Sequence, residues 1–276
     1  MNDQLRRRSL GAPAARSMLL TVLGEYVLPR PDGVWQETLV TALGVLGYKP
    51  HAARQAIARS VAGGWLRAQR HGRRSRMHLT GESAEMLRTG AERIYSFGEP
   101  REWNGEWLLV VLRVPEERRE VRHQVRTRLA WAGFGSLGGG VSLSPHVERA
   151  AELRDLAGDG VAELHSFRAR LGPLGDPRQM VSDAWDLDAV ADAYRAFTDA
   201  FRRERPRSPE AVFRAQTLLV HEWRRFPFLD PDLPEEVLPA GWPRRAAHDV
   251  FQERHARWHQ GAQEYFRSLA ALRDAA

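Results

Sequence analysis

The side chains best placed to do chemistry in this sequence are His51, Arg54, Gln55 and Arg59, which recur along one side of a helical stretch that begins at Pro50. Arginine and glutamine pair bidentately with guanine and adenine edges in a major groove. The small Ala52 and Ala58 beside them would let a helix backbone approach such edges closely. On the opposite side Ala53, Ile57 and Val61 recur every four residues, a pattern that packs against another helix. A second basic cluster, Arg70-His71-Gly72-Arg73-Arg74, lies between alternating residues 65–69 and 76–79 and reads as the tip of a hairpin. Several arginines at such a tip suit a wing lying along phosphates or in a minor groove. Arg73, Arg74 and Arg76 would serve that wing, and Lys49 would meet a phosphate.

The elements that must position these groups are legible on either side. Leu39, Leu43 and Leu46 mark one face of a helix over residues 36–46, and Gly47-Tyr48-Lys49 makes a turn. Pro50 suits the first position of the next helix, and Gly63-Gly64 ends it. Helix, turn, helix and hairpin follow in the order of a winged helix-turn-helix that reads double-stranded DNA. The competing reading is an amphipathic helix whose charged side is merely solvated; the agreement of turn, helix and wing favours DNA. A helix over 14–26, with Met18, Leu19, Val22 and Leu23 inward, would complete the core beneath the reader. Residues 1–13, with Arg6-Arg7-Arg8, read as a flexible basic arm, and a helix over 80–93 leads to a hinge at 97–100.

Charge is distributed to match. Residues 1–80 hold 13 Lys+Arg against 4 Asp+Glu, a net +9, whereas the other residues hold 28 against 31, a net −3. A DNA footprint should be localised in this way. The 276 residues contain no cysteine, which excludes disulfides, cysteine zinc sites, iron–sulfur clusters and thiol nucleophiles. No apolar run approaches the roughly 20 residues that span a bilayer, and the start of the chain lacks the apolar core of a secretory signal. A cytoplasmic location without membrane contact is the expectation.

Beyond the hinge, residues 107–114 read as a buried strand, 116–131 as a helix, 133–137 and 141–144 as short strands, 145–156 as helical and 161–169 as a last strand. Gly138-Gly139-Gly140 reads as a hairpin turn, since no strand–loop–helix context supports a phosphate cradle. The order βαββαβ is that of a ferredoxin-like sandwich. Helices over 186–203, with Leu187, Val190, Tyr194, Phe197 and Phe201 on one stripe, from the cap Ser208-Pro209-Glu210 to about 226, and over 245–272 complete the chain. A proline-rich connector separates the last two. The expected class is therefore α+β, with a winged helix-turn-helix domain over 1–97, a ferredoxin-like domain over 98–172 and a helical domain over 173–276.

Four stretches carry a family resemblance: RSMLLTVLGEYV (16–27), HAARQAIARSVAGGWLRAQRHGRRSRMHLT (51–80), EWLLVVLRVPEERREVRHQVRTRLAWAGFGSLGGGVSLSPH (106–146) and HEWRRFPFLDPDLPEEVLPAGWPRRAA (221–247). With them the chain resembles the PaaX family of bacterial transcriptional repressors of phenylacetate catabolism. The resemblance implies a homodimer on a palindromic operator, released by an aryl-CoA thioester such as phenylacetyl-CoA, with no catalytic residue and no cofactor. A winged-helix regulator of another pathway, answering another small molecule, is the second reading. The resemblance also relates the central domain to small CRISPR adaptation nucleases, which carry a metal-binding aspartate at the end of their first strand. Here that position falls in Leu112-Arg113-Val114-Pro115, without a carboxylate to hold Mg²⁺.

No effector site carries over residue by residue. By residue type, Arg224 and Arg225 would suit CoA phosphates, and Trp223 and Phe226 an aryl group; the alternative is a segment that packs domains together. A metal-dependent nuclease or hydrolase is the remote reading. It would draw on His221-Glu222, or on His255 and His259, four apart on one helical face, with Glu253 or Asp249. No complete metal motif is present, so no metal site is expected.

Overall fold

The computed structural model describes residues 14–99, 102–157 and 163–274; the Arg6-Arg7-Arg8 arm lies outside them. The chain divides into two compact units, one of residues up to Tyr95 with Phe201–Arg224 and Phe251 onward, the other of Ser96–Ala200 with Arg225–Val250. Both are mixed α and β, each with one antiparallel sheet. No helix among the described residues is long and apolar enough to cross a membrane.

The first unit opens with α1 (Ala15–Val22), which passes into a π-helical turn, Leu23–Val27. The sequence periodicity suggests one continuous helix here. The chain instead widens into a π-turn, in which Leu23, Glu25, Tyr26 and Val27 are buried. Strand β1 (Val34–Trp35), α2 (Gln36–Val45), α3 (Pro50–Ala62), β2 (Leu66–His71), β3 (Arg74–Leu79) and α4 (Gly81–Tyr95) follow. Later helices contribute to the same unit: α9 (Pro209–Trp223) supplies Phe213 to its core, and α11 (Arg244–Asp274), whose residues up to Val250 belong to the second unit, supplies Ala262 and Phe266. Tyr26 lies about equally close to Phe213 and Phe266, with ring centroids 5.0 Å from each, and its hydroxyl meets Thr217 Oγ1 at 2.9 Å. Thus the helical segment expected over 173–276 is shared between the units.

Helix α9 begins where the cap predicts. Ser208 Oγ accepts from Ala211 N–H at 3.1 Å, and Pro209 occupies a position whose missing N–H costs nothing. Ser208→Ala should lower stability by about 1 kcal/mol, read by urea unfolding. The helix stops at Trp223, short of the expected 226, and the chain restarts at Pro227's neighbour as α10 (Phe226–Leu229).

The second unit holds β4 (Trp107–Arg113), α5 (Arg119–Trp131), β5 (Gly135–Gly138), β6 (Val141–Ser144), α6 (Leu153–Ala157) and β7 (Glu163–Ala169), then α7 (Pro177–Ala184) and α8 (Leu187–Arg202), whose last residues belong to the first unit. The strands order β5-β6-β4-β7. Strand β4 is covered on both faces: Leu108 and Val110 pack with Val125, Leu129 and Phe134, and Trp107 with Leu143, Val181 and Leu233. That two-sided burial is why 107–112 is an unbroken apolar run and not an alternating one. Gly140, at φ 82°, closes the β5–β6 turn; a Cβ there would stand 2.3 Å from Leu112 O, so only glycine fits.

A basic helix and hairpin form the candidate nucleic-acid interface

Helices α1, α2 and α3 pack through Leu19, Val22, Leu39, Leu43, Ala53 and Ile57, all buried, and this fixes which side of α3 is left outward. Ala53, Ala56, Ile57 and Ser60 form the inner face, and Ser60 Oγ donates to Ala56 O at 3.0 Å. His51, Arg54, Gln55 and Arg59 are exposed together on the outer face, with Ala58 among them. Lys49, the residue before Pro50, is also exposed. The helix ends at Gly63, and Gly64 takes φ 73°, turning the chain into the hairpin.

The hairpin is tighter than the sequence suggests. Strands β2 and β3 are six residues each and pair as far as His71 with Arg74, so the expected five-residue tip contracts to Gly72-Arg73. Gly72, at φ 59°, takes the first turn position, which in a two-residue hairpin demands the left-handed region. Arg70 and Arg73 are exposed. The ladder also exposes Arg67 and Gln69 on β2, two polar side chains that strand alternation alone does not single out.

Arg74 and Arg76 have a different environment. Both are half-buried, and their guanidinium carbons lie 3.9 and 5.3 Å from the ring centroid of Trp35. His71 meets the same indole edge-on at 5.6 Å. Trp35 stands on β1, which pairs with β3 through Val34 opposite Met77 and Trp35 opposite Arg76. Gly33, at φ 68°, makes that approach possible; a Cβ there would lie 2.4 Å from Met77 O. Cation–π stacking therefore holds two of the wing arginines against the short strand β1.

The four residues considered for an effector are divided between the units, Trp223 and Arg224 in the first and Arg225 and Phe226 in the second. The Trp223 side chain is fully buried, its Nε1–H donates to Ile94 O at 3.0 Å, and its rings stack on Phe251 at 4.7 Å. Arg224 Nη2 donates to Ser17 O at 2.9 Å and Ser17 Oγ at 2.6 Å. Phe226 is buried and stacks on Tyr194 at 4.2 Å; Arg225 is half-buried. Of the titratable groups considered for catalysis, His221 is buried with Nδ1 2.8 Å from Thr21 Oγ1. At the end of β4, Arg113 faces Glu163 across the ladder, Nη1 to Oε1 3.3 Å.

Family models match three consecutive stretches: residues 14–95 match a model described as PaaX-like protein, residues 100–181 the PaaX protein central Cas2-like domain, and residues 185–268 the PaaX-like protein C-terminal domain. The chain is also 31% identical over 248 residues to the transcriptional repressor PaaX of Escherichia coli (strain K12), covering 85% of this chain and 77% of that one. The chain belongs to the PaaX family. Among solved structures, uncharacterized protein Rv0674 from Mycobacterium tuberculosis aligns with a TM-score of 0.65 at 22% identity, over 91% of this chain and 98% of that one. At that identity the likeness speaks for a shared fold. The basic helix and hairpin fall within the first PaaX match, and the four-stranded sheet within the second.

Proposed function

We propose that this PaaX-family member is a transcriptional repressor, not an enzyme, whose first unit reads operator DNA as a winged helix-turn-helix. The observation that carries the reading is the outward row His51, Arg54, Gln55 and Arg59 on a helix whose other face is locked in the core, beside a hairpin presenting Arg67, Arg70 and Arg73. In the proposed complex α3 enters the major groove, with Arg54 and Gln55 on base edges. Lys49, Arg70 and Arg73 neutralise phosphates, and Arg74 and Arg76, stacked on Trp35, stiffen the wing and add positive field. Arg67 joins the phosphate set.

The central unit, with strand order β5-β6-β4-β7 and helices following its first and third strands, is read as ferredoxin-like. The repressor is proposed to act as a homodimer, so that two recognition helices meet half-sites of a palindrome, and to leave DNA when an aryl-CoA thioester favours a dimer with the wrong spacing between them. The dimer and the effector rest on the family resemblance. Trp223 and Phe226 are assigned to packing and not to the effector's aryl group, because both rings are already stacked and enclosed.

Base readers and phosphate binders differ in what their loss does. Arg54→Ala should weaken operator binding by about 1–3 kcal/mol while leaving random duplex nearly unaffected, whereas Arg73→Ala should weaken both by a similar factor. Fluorescence anisotropy on the two duplexes at one fixed salt concentration measures this. Equal losses on both duplexes for Arg54→Ala would remove α3 from the base-reading role.

A further inference from the structure

We propose that Glu25, His255 and His259 form a binding site for a divalent transition-metal ion of the zinc class, joining the last helix to the π-turn after α1. One ligand atom from each of the three lies within 4.8 Å of the others. His255 and His259 stand one turn apart on α11 with ring centroids 4.9 Å apart, the spacing that lets two imidazoles converge on one ion. Their partner comes from the far end of the chain. Glu253, the neighbour on the same helix, is 62% exposed and 3.4 Å from Arg254.

Unsatisfied polarity in one place is the strongest argument. Glu25 Oε2, His255 Nε2 and His259 Nδ1 are all buried, and none has a well-formed hydrogen bond, although the Gln216 amide stands near enough to the carboxylate to ease its charge. Buried polar atoms are almost always paired, and three lone-pair donors around one point share a natural partner in a cation. The carboxylate is also held from behind by Tyr95, whose O–H donates to Glu25 Oε1, while Gln263 Nε2 donates to the backbone carbonyl of Glu25 at 2.7 Å and fixes the turn; an outer hydrogen bond of the first kind orients a metal ligand. The π-turn is what presents Glu25 inward, and irregular turns of this kind are frequent at functional sites.

Ligand type narrows the ion. Two imidazoles and one carboxylate, with no sulfur, suit Zn²⁺ and its neighbours and not the all-oxygen shells of Mg²⁺ or Ca²⁺. Metal–ligand bonds of about 2.0–2.2 Å would set the ligand atoms roughly 3.3–3.6 Å apart, so modest side-chain rotation closes the site. A fourth position stays open for water or a small ligand.

The test uses untagged full-length protein stripped with a chelator and titrated with Co²⁺, followed by visible absorption, then with Zn²⁺ in competition. The expected result is one Co²⁺ per chain with ligand-field bands that Zn²⁺ abolishes. His259→Ala and Glu25→Gln should each weaken binding by at least the roughly 10–100-fold that loss of an outer partner costs, and Glu253→Ala should leave it unchanged. Circular dichroism establishes that each variant is folded; His259 lies nearest the surface, so its variant carries the test should Glu25→Gln unfold. Absence of Co²⁺ binding, or binding undiminished in folded His259→Ala, overturns the proposal.

Discussion

Arg244→Ala should destabilise the unit that contains it by about 3–5 kcal/mol, the cost of leaving a buried charge without its partner. Asp230 is the charge at stake. Its side chain is completely enclosed, and Arg244 grips it with two parallel bonds, Nε to Oδ2 and Nη2 to Oδ1, both 2.8 Å. Tyr194 donates to Oδ2 at 2.5 Å, and Arg244 Nη1 donates to Leu233 O at 3.0 Å. Asp232 N–H donates to Asp230 Oδ1 at 2.8 Å, which fixes a residue held at φ 55°. The cluster thus sets the path of the proline-rich connector. Burial and the nearby Asp230 raise the Tyr194 phenol, so it stays a neutral donor, and the two aspartates hold Arg244 firmly charged despite burial. Arg244→Lys keeps the charge but not the planar fork and should fall between wild type and alanine. Urea unfolding followed by tryptophan fluorescence measures the loss; a change below about 1 kcal/mol, the size expected of a surface pair, would mean that the carboxylate finds water.

Trp223→Ala should cost a similar amount, about 3–5 kcal/mol, because it empties a fully enclosed site. Trp223→Phe should cost less, since it keeps the stack on Phe251 and loses chiefly the donor to Ile94 O. This pair also separates the two uses considered for the segment. A residue that lines an effector pocket would, on truncation, lose effector affinity with stability nearly intact; a packing residue loses stability first. Thermal unfolding beside thioester binding tells them apart.

Local pattern carried most of the fold. Apolar spacing located α2, α3 and α8, glycine and proline marked the ends of α3, and alternation located the hairpin, because each signal lies within one or two turns of chain. What escaped depends on partners distant in sequence. Trp35 stands just before the helix expected over 36–46; it pairs with Arg76 across a ladder and becomes the cushion for two arginines, a role no two-residue strand announces. The π-turn at Leu23–Val27 has the composition of an ordinary helix and is set by packing against Phe213 and Phe266. The nearness of His255 and His259 to Glu25 likewise joins distant parts of the chain, so helical spacing shows the two histidines together and leaves Glu25 out of sight. The α3 candidates were legible for a simple reason: one face of the helix is wholly apolar or small, which leaves the polar residues only one side to occupy.

The most direct test of the central claim is fluorescence-anisotropy binding of the full chain to the DNA upstream of its own gene, at fixed salt, with and without phenylacetyl-CoA. The expected result is tight binding to that duplex in preference to random sequence, lost on adding the thioester. Equal affinity for the upstream and random duplexes would contradict operator recognition.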